Sequence, residues 1–184
     1  NSNAEKTSSN EKIQLSLKME KGDVKRVKNI IKQDISQEVM GMQQEMTQNT
    51  TLFYQYKVIE KNADIKNADI MTVEVLYERV QMYQENQAGV VEYDSDNPPE
   101  VLPDAAVGYA AIVGKSFTIE ITSKGKVTKV NGIDEMINDM IEEMELDAQN
   151  REQVKELMKN QFGEEAMRGT MENMMAIYPD EKVG

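Results

Sequence analysis

The chain has 184 residues, a length that suits one domain with a core of its own. Lys and Arg total 21 against 33 Asp and Glu, a formal charge of −12, and a surface this acidic repels phosphate backbones, which excludes nucleic acid as a partner. With neither His nor Cys, the chain has no means of building a His or Cys zinc site, a Cys nucleophile, a His general base or a disulfide.

Residues 1–11, NSNAEKTSSNE, are polar apart from Ala4 and read as a flexible tether. Residue 1 is Asn, which leaves a removed leader and a start inside a longer sequence as alternatives. No run reaches the roughly 18 apolar residues of a membrane span. From Lys12 to Glu20, Ile13, Leu15, Leu17 and Met19 alternate with polar residues, the period of a half-buried strand. Lys21-Gly22-Asp23 supplies a turn. Val27, Ile31, Ile35 and Val39 then recur every four residues, a spacing open to helix or strand. Met42, Met46, Leu52, Tyr54, Tyr56 and Val58 all fall on even positions after Met40-Gly41, so the reading favoured is a long hairpin of two strands.

The tandem KNADIKNADI, 61–70, reads as a hairpin tip, with Met71, Val73, Val75 and Tyr77 lining the next strand and Gly89–Tyr93 a shorter one. DSDNPPEVLPD, 94–104, carries three prolines and is predicted to be a surface loop. A short helix is expected over 105–113, closed by Gly114, and then a hairpin from Phe117, Ile119 and Ile121 to Val127 and Val130. Ile133, Met136, Ile137, Met140, Ile141 and Met144 form one helical stripe, predicted to pack almost completely against the sheet. Asn150 and Gln153 suggest a capping box for a second helix carrying Val154, Leu157, Met158 and Phe162 up to Gly163, and a third carries Met167, Met171 and Met174 before Pro179. Strands first and helices last mean α+β: a curved, half-barrel-like antiparallel sheet of long hairpins, with mostly C-terminal helices on one face, making residues 12–184 a single domain. Residues 133–181 hold 14 acidic against 4 basic side chains, so the acidic surface belongs to the helices.

Few constellations carry chemistry. Asp94, Asp96, Asn97, Glu100 and Asp104 are hard oxygen ligands, but Pro99 stands where a calcium loop of the helix–loop–helix type needs Gly, so no metal is expected. Glu142-Glu143 and Glu164-Glu165 are paired carboxylates on solvated helix faces and read as surface, not as acid and base. Ser and Thr lack a His partner, no phosphate-binding glycine motif occurs, and neither catalysis nor a cofactor is expected. Lys12, Lys18, Lys21, Lys25, Arg26, Lys28 and Lys32 make a basic arm, read as pairing with the acidic helices in preference to anionic lipid heads. Methionine is the unusual signal, with 14 in the chain and 8 of them between Met136 and Met175. Core filling is the ordinary reading of such stripes; the sharper one is an adaptable apolar surface made by Met136, Met140, Met144, Met158, Met167 and Met171.

QEVMG (37–41), VEYDSDNPP (91–99), YAAIVGKSFTIEITSKGKVTKVNGIDEMI (109–137) and QFGEEAMRGTMENMMAIYPDEKVG (161–184) together resemble a family of bacterial extracytoplasmic proteins, predicted lipoproteins carrying a domain of unknown function. The resemblance implies a domain outside the cytoplasmic membrane, tied to it only through a lost N-terminal anchor, with no assigned activity and no catalytic residues to carry over. It also implies an aromatic near Lys25, which this chain lacks, and a continuation past Val183-Gly184 into a second β-rich half. The expected function is therefore a non-catalytic cell-envelope domain binding an apolar ligand or a partner protein, with a purely structural or assembly module as the alternative.

Overall fold

The computed structural model describes residues 17–39, 42–63, 69–144 and 148–175. Two long strands, β1 (Val24–Val39) and β2 (Met42–Ala63), are followed by β3 (Asp69–Asn86) and β4 (Gly89–Asp94). A 3₁₀ turn at Asp104–Ala106 leads into α1 (Val107–Ile112), after which β5 (Ser116–Thr122) and β6 (Val127–Asn131) form a hairpin. The helices α2 (Ile133–Glu143), α3 (Ala148–Phe162) and α4 (Glu164–Met175) come last. All pairings are antiparallel in one open six-stranded sheet, ordered β1-β2-β3-β5-β6, with β4 beside β3. The class is α+β.

One face of this sheet carries the core. Leu52, Tyr54, Tyr56 and Val58 of β2 are buried beside Met71, Val73, Val75 and Tyr77 of β3 and Phe117, Ile119 and Ile121 of β5. In β3 the buried positions are odd up to Tyr77 and even from Val80, because Tyr54 pairs with Tyr77 but Phe53 with Arg79, leaving Glu78 as a bulge. At the same place β3 changes partner: Ile70–Leu76 pair with β5, and Gln81–Asn86 pair with β4. At the handover Val80 N–H donates to Ser95 Oγ at 3.0 Å and Tyr77 N–H to the Lys115 carbonyl at 3.0 Å, so both keep partners there. Gly114, with φ of 80°, makes the reversal that returns its own N–H to the Tyr77 carbonyl at 2.8 Å.

Several expectations hold and several need correction. The four-residue spacing of Val27, Ile31 and Ile35 belongs to a strand: Val27 faces Tyr54 and Ile31 faces Thr50, so the intervening Asn29 and Gln33 share that same face. Leu17–Glu20, the described part of the strand predicted over 12–20, pair with no strand; Leu17 N–H donates to the Ser123 carbonyl at 2.6 Å, and Met19 alone of the four is fully packed. The alternation there reflects a one-sided coil crossing the end of the sheet. α3 begins at Ala148, which places Asn150 inside its first turn and not at a cap. The tether, residues 12–16, Met40-Gly41, the middle of the KNADIKNADI repeat and Pro179 lie outside the described residues.

The α2 stripe is buried as expected, with Met140 at 0% exposure, except that Met144 is only half-buried. Burial of five large apolar side chains at about 1.5–3 kcal/mol each is what fixes α2 to its neighbours. Between α3 and α4, Gly163 is required by space: a Cβ there would sit 2.1 Å from the Lys159 carbonyl oxygen.

Candidate functional site

Small residues open a cleft. α1 contributes Gly108, Ala110 and Ala111, and a Cβ on Gly108 would lie 3.5 Å from Met158 Cε, an ordinary contact distance, so the glycine leaves room for about one methyl group between α1 and α3. The cleft has a volume of about 820 Å³ and is walled by α1 with the preceding Leu102, Asp104 and Ala105, by Glu143 and Met144 at the end of α2, by Val154, Leu157, Met158 and Phe162 of α3, and by Gln48 and Gln84 of the sheet. That size falls within the range of small-molecule sites, as does a mostly apolar wall with few polar groups.

The polar groups have defined partners. Gln48 Nε2 donates to the Tyr109 hydroxyl at 2.9 Å and lies 3.4 Å from Thr50 Oγ1, which ties α1 to β2 at the floor. Glu143 at one rim forms an ion pair with Lys115. Asp104 opens the 3₁₀ turn at the other side. Leu157 remains 65% exposed although it follows the apolar pattern of α3, and Leu102 and Val101 are also exposed nearby. The helical stripe of Val154, Leu157, Met158 and Phe162 is therefore split: Met158 and Phe162 pack inward, and Leu157 stands at the mouth.

Of the six methionines singled out from sequence, the structure brings Met144 and Met158 to this cleft. Met140, Met167 and Met171 are core, and Met136 is buried at the opposite end of α2 beside Phe117 and Gly132. Two of them meet the tyrosines of the sheet. Tyr54 and Tyr77 rings lie 4.9 Å apart, Tyr54 and Tyr56 6.0 Å apart, and Tyr77 and Phe117 6.1 Å apart. The Tyr77 hydroxyl donates to Met167 Sδ at 3.5 Å and the Tyr56 hydroxyl to Met171 Sδ at 3.6 Å. Burial pushes the hydroxyl pKa of all three tyrosines well up, because a phenolate there would lose its water.

The acidic loop after β4 is a surface connection, and its first carboxylate is already engaged. Asp94 accepts from Arg79 Nη2 at 2.5 Å and Nε at 3.0 Å, from Gln81 Nε2 at 2.9 Å and from the Asp96 N–H at 3.1 Å, while Arg79 also reaches Asp96 at 3.0 Å. The bidentate guanidinium, first among these, holds the Asp94 carboxyl well below the usual carboxylate range. Among the described residues no cluster of three carboxylates converges as a metal site would require. Of the paired glutamates, Glu143 is taken by Lys115, and Glu164 by Arg168 at 2.9 Å one helical turn on. Among the described residues of the basic arm, Arg26 pairs with Glu78 of the sheet at 2.8 Å, and Lys28 lies over the Phe53 ring at 5.6 Å.

The cleft walls from Gln84 onward belong to one stretch of chain, and it is this stretch that is shared with other proteins: residues 68–184 match the family of unknown function DUF6263. The chain belongs to that family. No curated protein and no solved structure matches it. Among the described residues, the DUF6263 segment holds β3 to β6, the helices α1 to α4 and all the cleft walls except Gln48, whereas β1 and β2 precede it. Sequence reasoning found the methionines but missed Gly108, Tyr109, Gln48 and Gln84. The signal available for them was the cluster of small residues in VGYAAI, which fills little of the space beside it.

Proposed function

We propose that this protein is a non-catalytic bacterial cell-envelope domain of the lipoprotein type that takes an apolar small molecule into the cleft between α1, α3 and the sheet. The observation that carries the reading is the mostly apolar 820 Å³ cleft with few polar groups, the character of a small-molecule site, on which Leu102 and Leu157 are both left exposed. The thioethers of Met144 and Met158 suit a ligand of flexible shape, and Gln48 and Tyr109 supply a polar anchor at the floor. The sheet is read as half-barrel-like, its bulges at Glu78 and between Val58 and Glu60 bending it around the helices. The envelope location rests on the resemblance of the sequence to extracytoplasmic proteins and on the polar opening stretch.

A second reading has its own support. Met136, Met140, Met158, Met167 and Met171 are all buried, which is what a purely structural or assembly module would need. The two separate on one experiment: titration of the purified protein with a neutral apolar fluorophore such as Nile red, together with native mass spectrometry of the protein as isolated. Saturable binding is expected, and Gly108→Leu, which fills the space in front of Met158, should abolish it while leaving the thermal transition in place. Binding that survives Gly108→Leu, or no binding and no co-purifying apolar species, overturns the ligand reading in favour of the structural one.

A further inference from the structure

β1 is an outermost strand of the sheet, and among the described residues it pairs with β2 alone. Edge strands are normally kept short, bent or broken by proline, because an open row of backbone donors and acceptors is a template for another strand. β1 is not short, bulged or broken by proline, since it runs 16 residues and pairs with β2 without a register shift, and the one device against open pairing that it carries is its charged side chains. Ile30 is 53% exposed on it, and Val24 and Val27 are exposed as well. Its charges are segregated. Lys25, Arg26, Lys28 and Lys32 fill its first part, and Asp34 and Glu38 come after them.

We infer that β1 is an interface for a second copy of this chain, paired edge to edge and antiparallel so that the sheets of two molecules run on as one. The charge order selects both the partner and the direction. Antiparallel self-pairing sets the basic part of one β1 against the acidic part of the other, whereas parallel pairing sets like against like. It also restricts the register. Two-fold axes at Asn29, Ile30, Lys32 or Asp34 place Arg26 on Lys32, Lys28 on Lys32, Lys32 on Lys32 or Asp34 on Asp34. Axes at Ile31 or Gln33 escape this. With the axis at Ile31, Lys28 faces Asp34 and Val27 faces Ile35; with the axis at Gln33, Lys28 faces Glu38, Lys32 faces Asp34 and Ile31 faces Ile35. In both, the face that carries the core continues across the junction. The acidic helices play no part, and the pairing does not depend on the cleft being a ligand site.

Analytical ultracentrifugation of the full chain, at concentrations rising to roughly millimolar, the weak end of specific association, should show a monomer–dimer equilibrium. Lys28→Glu with Lys32→Glu, and separately Asp34→Lys with Glu38→Lys, should each weaken the homodimer about tenfold or more, because like charges then confront each other on both sides of the axis. An equimolar mixture of the two variants should recover a heterodimer, which also proves that both are folded. Since the chain contains no cysteine, Ile31→Cys or Gln33→Cys should oxidise to a covalent dimer in whichever register is used. A wild-type protein that stays monomeric, a dimer indifferent to both charge variants, a mixture that fails to associate, or no crosslink at either position overturns the proposal.

Discussion

Val27 and Tyr54 are cross-strand partners on one face of one sheet, yet Tyr54 is 1% exposed and Val27 36%. The difference lies in what covers them. Tyr54 sits in the ring stack with Tyr56 and Tyr77, whose hydroxyls reach the methionine sulfurs of α4, whereas β1 touches β2 and lies beyond the helical layer. Strand membership therefore sets which way a side chain points, and the helices decide whether it is buried. Gln33 is tolerated on the inward face of β1 for this reason, since its exposed amide keeps contact with water, and the half-buried Asn29 has the Tyr54 hydroxyl as a hydrogen-bond partner.

The sharpest way to break the contrast is a charge on the covered side. Met140→Asp buries an unpaired carboxylate at a position with no exposure and should abolish the cooperative thermal transition seen by circular dichroism; a folded variant with unchanged Tm would mean α2 does not pack as described. Alkali attacks the same region by another route. With the Tyr54, Tyr56 and Tyr77 hydroxyls raised above the unfolded value of about 10, their contribution is complete below pH 10 and is lost as pH climbs toward the folded values. Tyrosinate absorbance should then rise in two stages, with Tyr54, Tyr56 and Tyr77 of the chain's seven tyrosines ionising only together with unfolding; one smooth titration of all seven would contradict the burial.

Truncation gives a graded effect. Met140→Ala should cost about 2–5 kcal/mol in denaturant unfolding, and Met158→Ala less, because Met158 borders space that is already open. The two glycines around α4 should respond with opposite signs: Gly163→Ala should destabilise by about 1–3 kcal/mol through its clash with the Lys159 carbonyl, whereas Gly169→Ala, with nothing within 4 Å, should stabilise by up to about 1 kcal/mol. Equal responses would place the α3–α4 junction elsewhere. On the uncovered side, Ile30→Thr should change monomer stability by no more than about 0.5 kcal/mol despite replacing a large apolar residue.

Much of this division is legible in the residues themselves. Alternation located β2 and β5 and the 3.6-residue stripe located α2, because in each a single uninterrupted face is covered. β3 is longer than its alternation suggests, since the bulge at Glu78 shifts the buried positions from odd to even and so hides the second half of the strand. Leu17 and Met19 alternate without forming a strand, as one-sided packing imposes a period of two on a coil as well. The cleft was the least legible feature. Its methionines stand out in composition, but the space between them is created by what α1 lacks, and an absent side chain leaves no periodic trace.

The Glu78 bulge also governs how this domain can change length. Along the regular stretches of β3, removing two residues would keep every remaining side chain on its own face, whereas removing one would turn a whole segment over. Loss of Glu78 alone would merge the odd and even halves into a single phase in which Tyr77 and Val80 alternate regularly with Arg79, so that both segments would keep their apolar residues on the core face. Single-residue deletions should therefore be tolerated in the turns between strands and disrupt folding inside β3, with Glu78, the one supernumerary residue, the position whose loss leaves both segments facing the core.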